Sequence, residues 1–153
     1  DCGSLIKEII ENSIKYSCKI TCPVDAVTSK NLKDIGKDKD IKEIDDDEMI
    51  LDIGPKTISS IKTIINDSCT VLWNGPAGYF ENPNFANGTK QILDIIANNT
   101  IENKIYSVAG GGETVAAINK FNKLNSFNFV STAGGAFLEY LEGKELPGIK
   151  ALS

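Results

Sequence analysis

The chain has 153 residues, 41% of them hydrophobic, and a net charge of −5. All sixteen of its basic side chains are lysines, and it contains neither arginine nor histidine. This excludes histidine triads, histidine metal ligands and a histidine general base, and it argues against a nucleic-acid partner, whose phosphates usually recruit clustered arginine and lysine.

In chain order, Leu5, Ile6, Ile9, Ile10 and Ile14 recur at helical spacing behind Ser4, a candidate N-cap, and predict an amphipathic helix ending near Tyr16. Lys19 to Cys22 and Val24 to Thr28 predict one strand, or a pair broken by Pro23. Residues 29–48 are polar and include the acidic run Asp45-Asp46-Asp47-Glu48, which lacks the ligand spacing of a calcium loop. A solvated loop is expected there.

From Met49 the pattern becomes regular. An apolar run to Ile53 ends at Gly54-Pro55, and Thr57 is a candidate cap for a helix with Ile58, Ile61, Ile64 and Ile65 on one face. A strand over Cys69 to Trp73 precedes a Gly- and Pro-rich loop, and a helix is expected from about Thr89 to Asn98. A strand from Lys104 to Ala109 then leads into a helix over Glu113 to Phe121. A strand from Phe127 to Val130 leads into a helix over Ala136 to Glu142, with Gly143 behind it.

Alternating strands and helices are the sequence form of a parallel sheet with helical crossovers. The expected fold is therefore α/β: a Rossmann-like, three-layer αβα domain with helices on both faces of a parallel sheet. Right-handed crossovers would bring four loops to one edge: Gly54 to Thr57, Asn74 to Glu81, Gly110 to Thr114, and Ser131 to Ala136. Two of these place consecutive glycines just before a helix, where unpaired N–H groups at the positive end of the dipole suit phosphate oxygens.

Cys2, Cys18, Cys22 and Cys69 fit no zinc-ligand spacing and are too few for a disulfide scaffold. Buried or partly buried reduced thiols in a cytoplasmic protein are expected, and no apolar run approaches the ~20 residues of a membrane span. The standard phosphate fingerprints do not fit. A P-loop ending at Lys56-Thr57 would need glycine where Ile50 and Pro55 stand, and the third glycine of a dinucleotide fingerprint starting at Gly110 would fall at Val115. Residue patterns alone lead to an α/β domain that binds a nucleotide or a phosphorylated metabolite.

The segments LDIGPKT at 51–57, WNGPAGYFE at 73–81, FANGT at 85–89, GGGET at 110–114 and STAGGAFLEYLEGKELPG at 131–148 together resemble phosphoglycerate kinase, in that family's order and spacing. Residues 49–153 carry the strong resemblance, and residues 1–48 a weaker one through the first helix and the PVD at Pro23. The resemblance implies that residues 1–153 are part of the C-terminal, nucleotide-binding lobe of a two-lobed kinase that is monomeric at full length. Its reaction would pass a phosphoryl group between 1,3-bisphosphoglycerate and Mg-ADP, giving 3-phosphoglycerate and ATP, with the acid bound through the other lobe. The implied cofactors are ATP or ADP and Mg²⁺.

Carried over residue by residue, the resemblance puts Leu51 in the base pocket and Asn74 on phosphate, with Gly75 beside it. Pro76 and Tyr79 pack on adenosine, and Glu81 binds the ribose hydroxyls. Gly110, Gly111 and Gly112 approach the nucleotide, Thr114 contacts a phosphate, and Glu113 takes the metal-ligand position. Gly134 and Gly135 face the phosphoryl group in flight. Two positions depart from the family: Glu113 stands where aspartate is usual, and Ala133 replaces the first glycine of a triple. The family's catalytic lysines and its Arg/His-rich acid site have no counterpart in this sequence, so the chain alone is expected to be without turnover.

Overall fold

A computed structural model describes residues 2–152. Helix α1 (Cys2–Lys15) is followed by β1 (Asp25–Ser29), β2 (Lys37–Asp40) and β3 (Met49–Ile53). After these come α2 (Pro55–Asn66), β4 (Thr70–Asn74), α3 (Asn87–Ile101), β5 (Tyr106–Gly110), α4 (Gly112–Lys120), β6 (Phe129–Val130), α5 (Gly135–Leu141) and α6 (Pro147–Lys150).

Among the described residues these strands form two sheets. One is parallel, in the order β4-β5-β6, and is flanked by helices; the other is antiparallel, in the order β2-β1-β3. The core is built around α3, whose Ile92, Leu93, Ile95 and Ile96 pack with Trp73 and Ala109 of the parallel sheet and with Ala117 and Ile118 of α4. Trp73 lies nearly parallel to Phe127, with ring centroids 6.1 Å apart. Leu93 and Ile118 are fully buried; truncating such a side chain to alanine ordinarily costs about 2–5 kcal/mol.

Several local expectations are corrected. Met49–Ile53 does not join the parallel sheet; it pairs antiparallel with β1, with a bulge between Val27 and Thr28. Periodicity registers the apolar run but cannot name its partner strand. The polar stretch contains strand β2, held by Lys39, whose Nζ reaches Asp45 at 2.8 Å and Glu48 at 2.7 Å. No strand forms over Lys19–Cys22. Helix α1 begins at Cys2, so Ser4 lies inside it, and Gly54, not Thr57, is the N-cap of α2. The tail forms the short helix α6. All four thiols are exposed.

Candidate functional site

The parallel sheet decides which loops meet. Asn74 pairs with Gly110 and Ala109 with Val130, and the Ser131 N–H donates to the Ala109 carbonyl at 2.8 Å. The three strands therefore end side by side, and Asn74, Gly111 and Gly134 follow from adjacent strand ends at one rim. Gly111 adopts φ +92°, and a Cβ there would stand 2.6 Å from Asn74 Oδ1, so the close approach of the carboxamide requires glycine. The N–H of Gly75, also at positive φ, donates to Thr114 Oγ1 at 2.7 Å. Thr114 is buried in the first turn of α4, so this bond joins the β4 loop to the start of that helix.

Helix α4 opens at Gly112 and α5 at Gly135. First-turn N–H groups have no acceptor within their own helix, and nothing lies within 4 Å of where a side chain would stand at Gly112, Gly134 or Gly135. The backbone is therefore open to an anion at both places. Gly110 also makes room for packing, since the Phe137 ring of α5 lies 2.4 Å from where its Cβ would be. Glu113 is exposed at the second position of α4. Among the described residues no group of three or more acidic, histidine or cysteine side chains could hold a metal ion by itself.

Beside the rim lies a largely apolar cavity of ≈ 540 Å³, lined by Leu51, Ile53, Pro76, Ala77 and Tyr79 among others, with Asp25 and Asp52 also on its wall. Its wall is the loop after β4, and that loop is fixed at several points. The Tyr79 N–H donates to the Leu51 carbonyl at 2.8 Å, so the antiparallel sheet contributes to the site through β3. Buried Thr89 accepts from the N–H groups of Ala77 and Gly78 at 3.1 and 3.2 Å. Asp52 accepts from Gly88 at 2.7 Å and leaves no room for a side chain on Gly78. At the far end, Lys120 Nζ donates to the carbonyls of Phe80 and Glu81. Glu81 itself is exposed.

Sequence reasoning assigns no part to Thr89, Asp52 or Lys120. A signal for Asp52 is present, a lone carboxylate in an apolar run; Lys120 shows nothing in sequence to separate it from other surface lysines.

The Gly54 loop does not belong to this rim. It follows β3 of the antiparallel sheet, and the N–H groups of Lys56 and Thr57 are already taken by the Asp25 carboxylate, both at 2.8 Å. Thr57 Oγ1 adds a 2.6 Å bond to the same carboxylate. Burial pushes the Asp25 carboxyl up, but the Thr57 hydroxyl and the two N–H groups outweigh it and hold the group below its ordinary value. For Asp52 burial wins: its carboxyl is raised despite bonds from the backbone of Gly88, Ile53 and Asn87. Three loops converge, not four, because α2 begins on a carboxylate that would repel phosphate.

A family model described as phosphoglycerate kinase matches residues 1–144. The phosphoglycerate kinase of Francisella philomiragia is 45% identical over 148 residues, covering 95% of this chain and 37% of that protein. That of Xanthobacter autotrophicus is 44% identical over 154 aligned residues, covering 99% of this chain and 39% of that protein. The structure of phosphoglycerate kinase from Coxiella burnetii superposes with a TM-score of 0.87 at 36% identity, covering 98% of this chain and 38% of the other. That from Pyrococcus horikoshii gives 0.74 at 27% identity, covering 99% and 39%. The chain thus spans less than two-fifths of the length of these relatives.

Proposed function

The chain belongs to the phosphoglycerate kinase family, and from that premise we propose that it is the adenine-nucleotide-binding part of such an enzyme. In the full-length protein the reaction would move the acyl phosphate of 1,3-bisphosphoglycerate onto Mg-ADP, leaving the carboxylate of 3-phosphoglycerate. The observation that carries this reading is the junction of Asn74, Gly75, Gly111 and Thr114 at the open start of α4, next to a largely apolar cavity.

The cavity suits a purine: Leu51, Pro76 and Tyr79 supply apolar contact, and Glu81 lies just beyond them for the ribose hydroxyls. Asn74 and Thr114 take phosphate oxygens, with Gly75 and Gly110 to Gly112 permitting close backbone approach. The amides of Gly134 and Gly135 stabilise the phosphoryl group in transit, by positioning it and by offsetting its charge. One exposed carboxylate, Glu113, fits Mg²⁺, which is commonly held by one or two carboxylates together with substrate phosphates and water. When bound, the ion neutralises charge on the transferring phosphates.

The acid substrate would bind in the part of the relatives' length that this chain does not span. With no arginine or histidine of its own, the chain is proposed to bind nucleotide without turnover. Four free thiols favour a cytoplasmic setting, and a monomeric full-length enzyme is proposed. Among the described residues no helix is long and apolar enough to cross a membrane. A second reading, a nucleotide-binding remnant of a lost catalyst, is favoured by Glu113 alone, whose extra methylene shifts the carboxylate by about one bond length.

The test is a Mg-ADP titration followed through Trp73, the single tryptophan, which immediately precedes Asn74. A saturable change in fluorescence is expected. A flat titration of the folded chain would contradict nucleotide binding.

A further inference from the structure

Helix α4 touches the β4 loop at both of its ends. Its first turn holds the loop's beginning through Thr114 and the Gly75 N–H. Its last residue, Lys120, holds the loop's end: Nζ donates to the Phe80 carbonyl at 2.7 Å and to the Glu81 carbonyl at 3.0 Å, and lies 5.8 Å from the centre of the Phe80 ring. An ammonium group carries three donors. Two are spent on consecutive carbonyls, which restrains the peptide planes on either side of Glu81 and therefore the direction in which its Cα–Cβ bond leaves the backbone. The Phe80 ring is itself buried in the core, so the clasp closes against a rigid support. No other side chain among the described residues bonds to the backbone of Phe80 or Glu81. A free lysine would lose little by staying in water; holding one here orders a long flexible side chain.

We propose that Lys120 is a positioning residue that sets the Glu81 carboxylate for the two ribose hydroxyls, and so makes the site select a ribonucleotide over a nucleotide lacking those hydroxyls. This rests on the adenine-nucleotide reading above. It adds that α4 serves both parts of the ligand: its first turn faces the phosphates and its last residue sets the sugar contact.

The experiment compares the unaltered chain with Lys120→Met and Lys120→Arg, titrating each with Mg-ADP and with Mg-2′,3′-dideoxy-ADP. Lys120→Met keeps the length and apolar stem of the side chain but removes the donors. It is expected to weaken Mg-ADP roughly five-fold, the loss of a modest hydrogen-bonded contact, and to leave the dideoxy nucleotide unchanged. Lys120→Arg, which can still donate to both carbonyls, is expected to recover most of the discrimination. In parallel, the ¹³C resonances of the Phe80 and Glu81 carbonyls should move in Lys120→Met and stay near their original positions in Lys120→Arg. Equal weakening of both nucleotides, or no weakening of Mg-ADP, would overturn the inference while leaving the nucleotide reading intact. If the unaltered chain binds neither nucleotide, the nucleotide reading fails and this inference falls with it.

Discussion

Asp25 and Asp52 are both buried carboxylates at helix N-termini, yet they titrate in opposite senses. Asp25 gathers two N–H groups and a hydroxyl, enough to outweigh burial, so its folded pKa lies below the unfolded one. Its contribution to stability is therefore fully present above the ordinary aspartate range and is lost as pH falls through the lowered value. Asp52 behaves the other way. Its contribution is complete below the ordinary range and is lost as pH rises through the raised value. Asp25→Asn should lower the unfolding free energy by about 1–3 kcal/mol at pH 7, the cost of weakening a buried charged cap. The penalty should begin to shrink as pH falls below about 4, the ordinary aspartate range, and shrink further as pH falls through the lowered value, where the native carboxylate is protonated as well. Urea unfolding at the two pH values measures this; a penalty that does not change with pH would mean that the charge on Asp25 is not what holds α2.

At the level of elements, the β4 loop takes its shape from partners far away in sequence: Thr114, Thr89, Leu51 and Lys120. That explains what sequence reading can and cannot reach. The turn glycines, the strands before them and the helices after them follow from composition over a few residues, and most of these elements lie within a few residues of where the pattern puts them. Strand pairing is different. Nothing within Met49–Ile53 states that its neighbour is β1 or that the pairing is antiparallel, and only the buried Asp52 hints that this run is not a doubly covered parallel strand. Gly110 is a similar case. Sequence reading groups it with the ligand glycines, whereas in the structure it also makes room for Phe137. Gly110→Ala places a methyl group against that ring and should cost about 1–3 kcal/mol of stability. Adding Phe137→Leu should recover part of the loss, so that the two changes are not additive in urea unfolding; strict additivity would show that the ring does not press on Gly110.

For the whole molecule, the two sheets divide the work. The parallel sheet carries the glycine turns to one rim, and the antiparallel sheet supplies Leu51 and the carbonyl that fixes Tyr79. The apolar stripe of α1, which helical spacing in the sequence predicts, is 48–75% exposed at Leu5, Ile6, Ile9, Ile10 and Ile14. Periodicity reports that a face is apolar, not what lies against it. The proposed binding of phosphate at the rim depends on amides left open at α4 and α5, set against the amides of α2 that Asp25 has already filled. Two-dimensional amide NMR of the chain during a Mg-ADP titration reads all of these at once. Saturable movement of Gly75 and of Gly111 to Thr114 is expected, with Lys56 and Thr57 unmoved. Movement at Lys56 and Thr57 instead, or none along the rim, would contradict phosphate binding there.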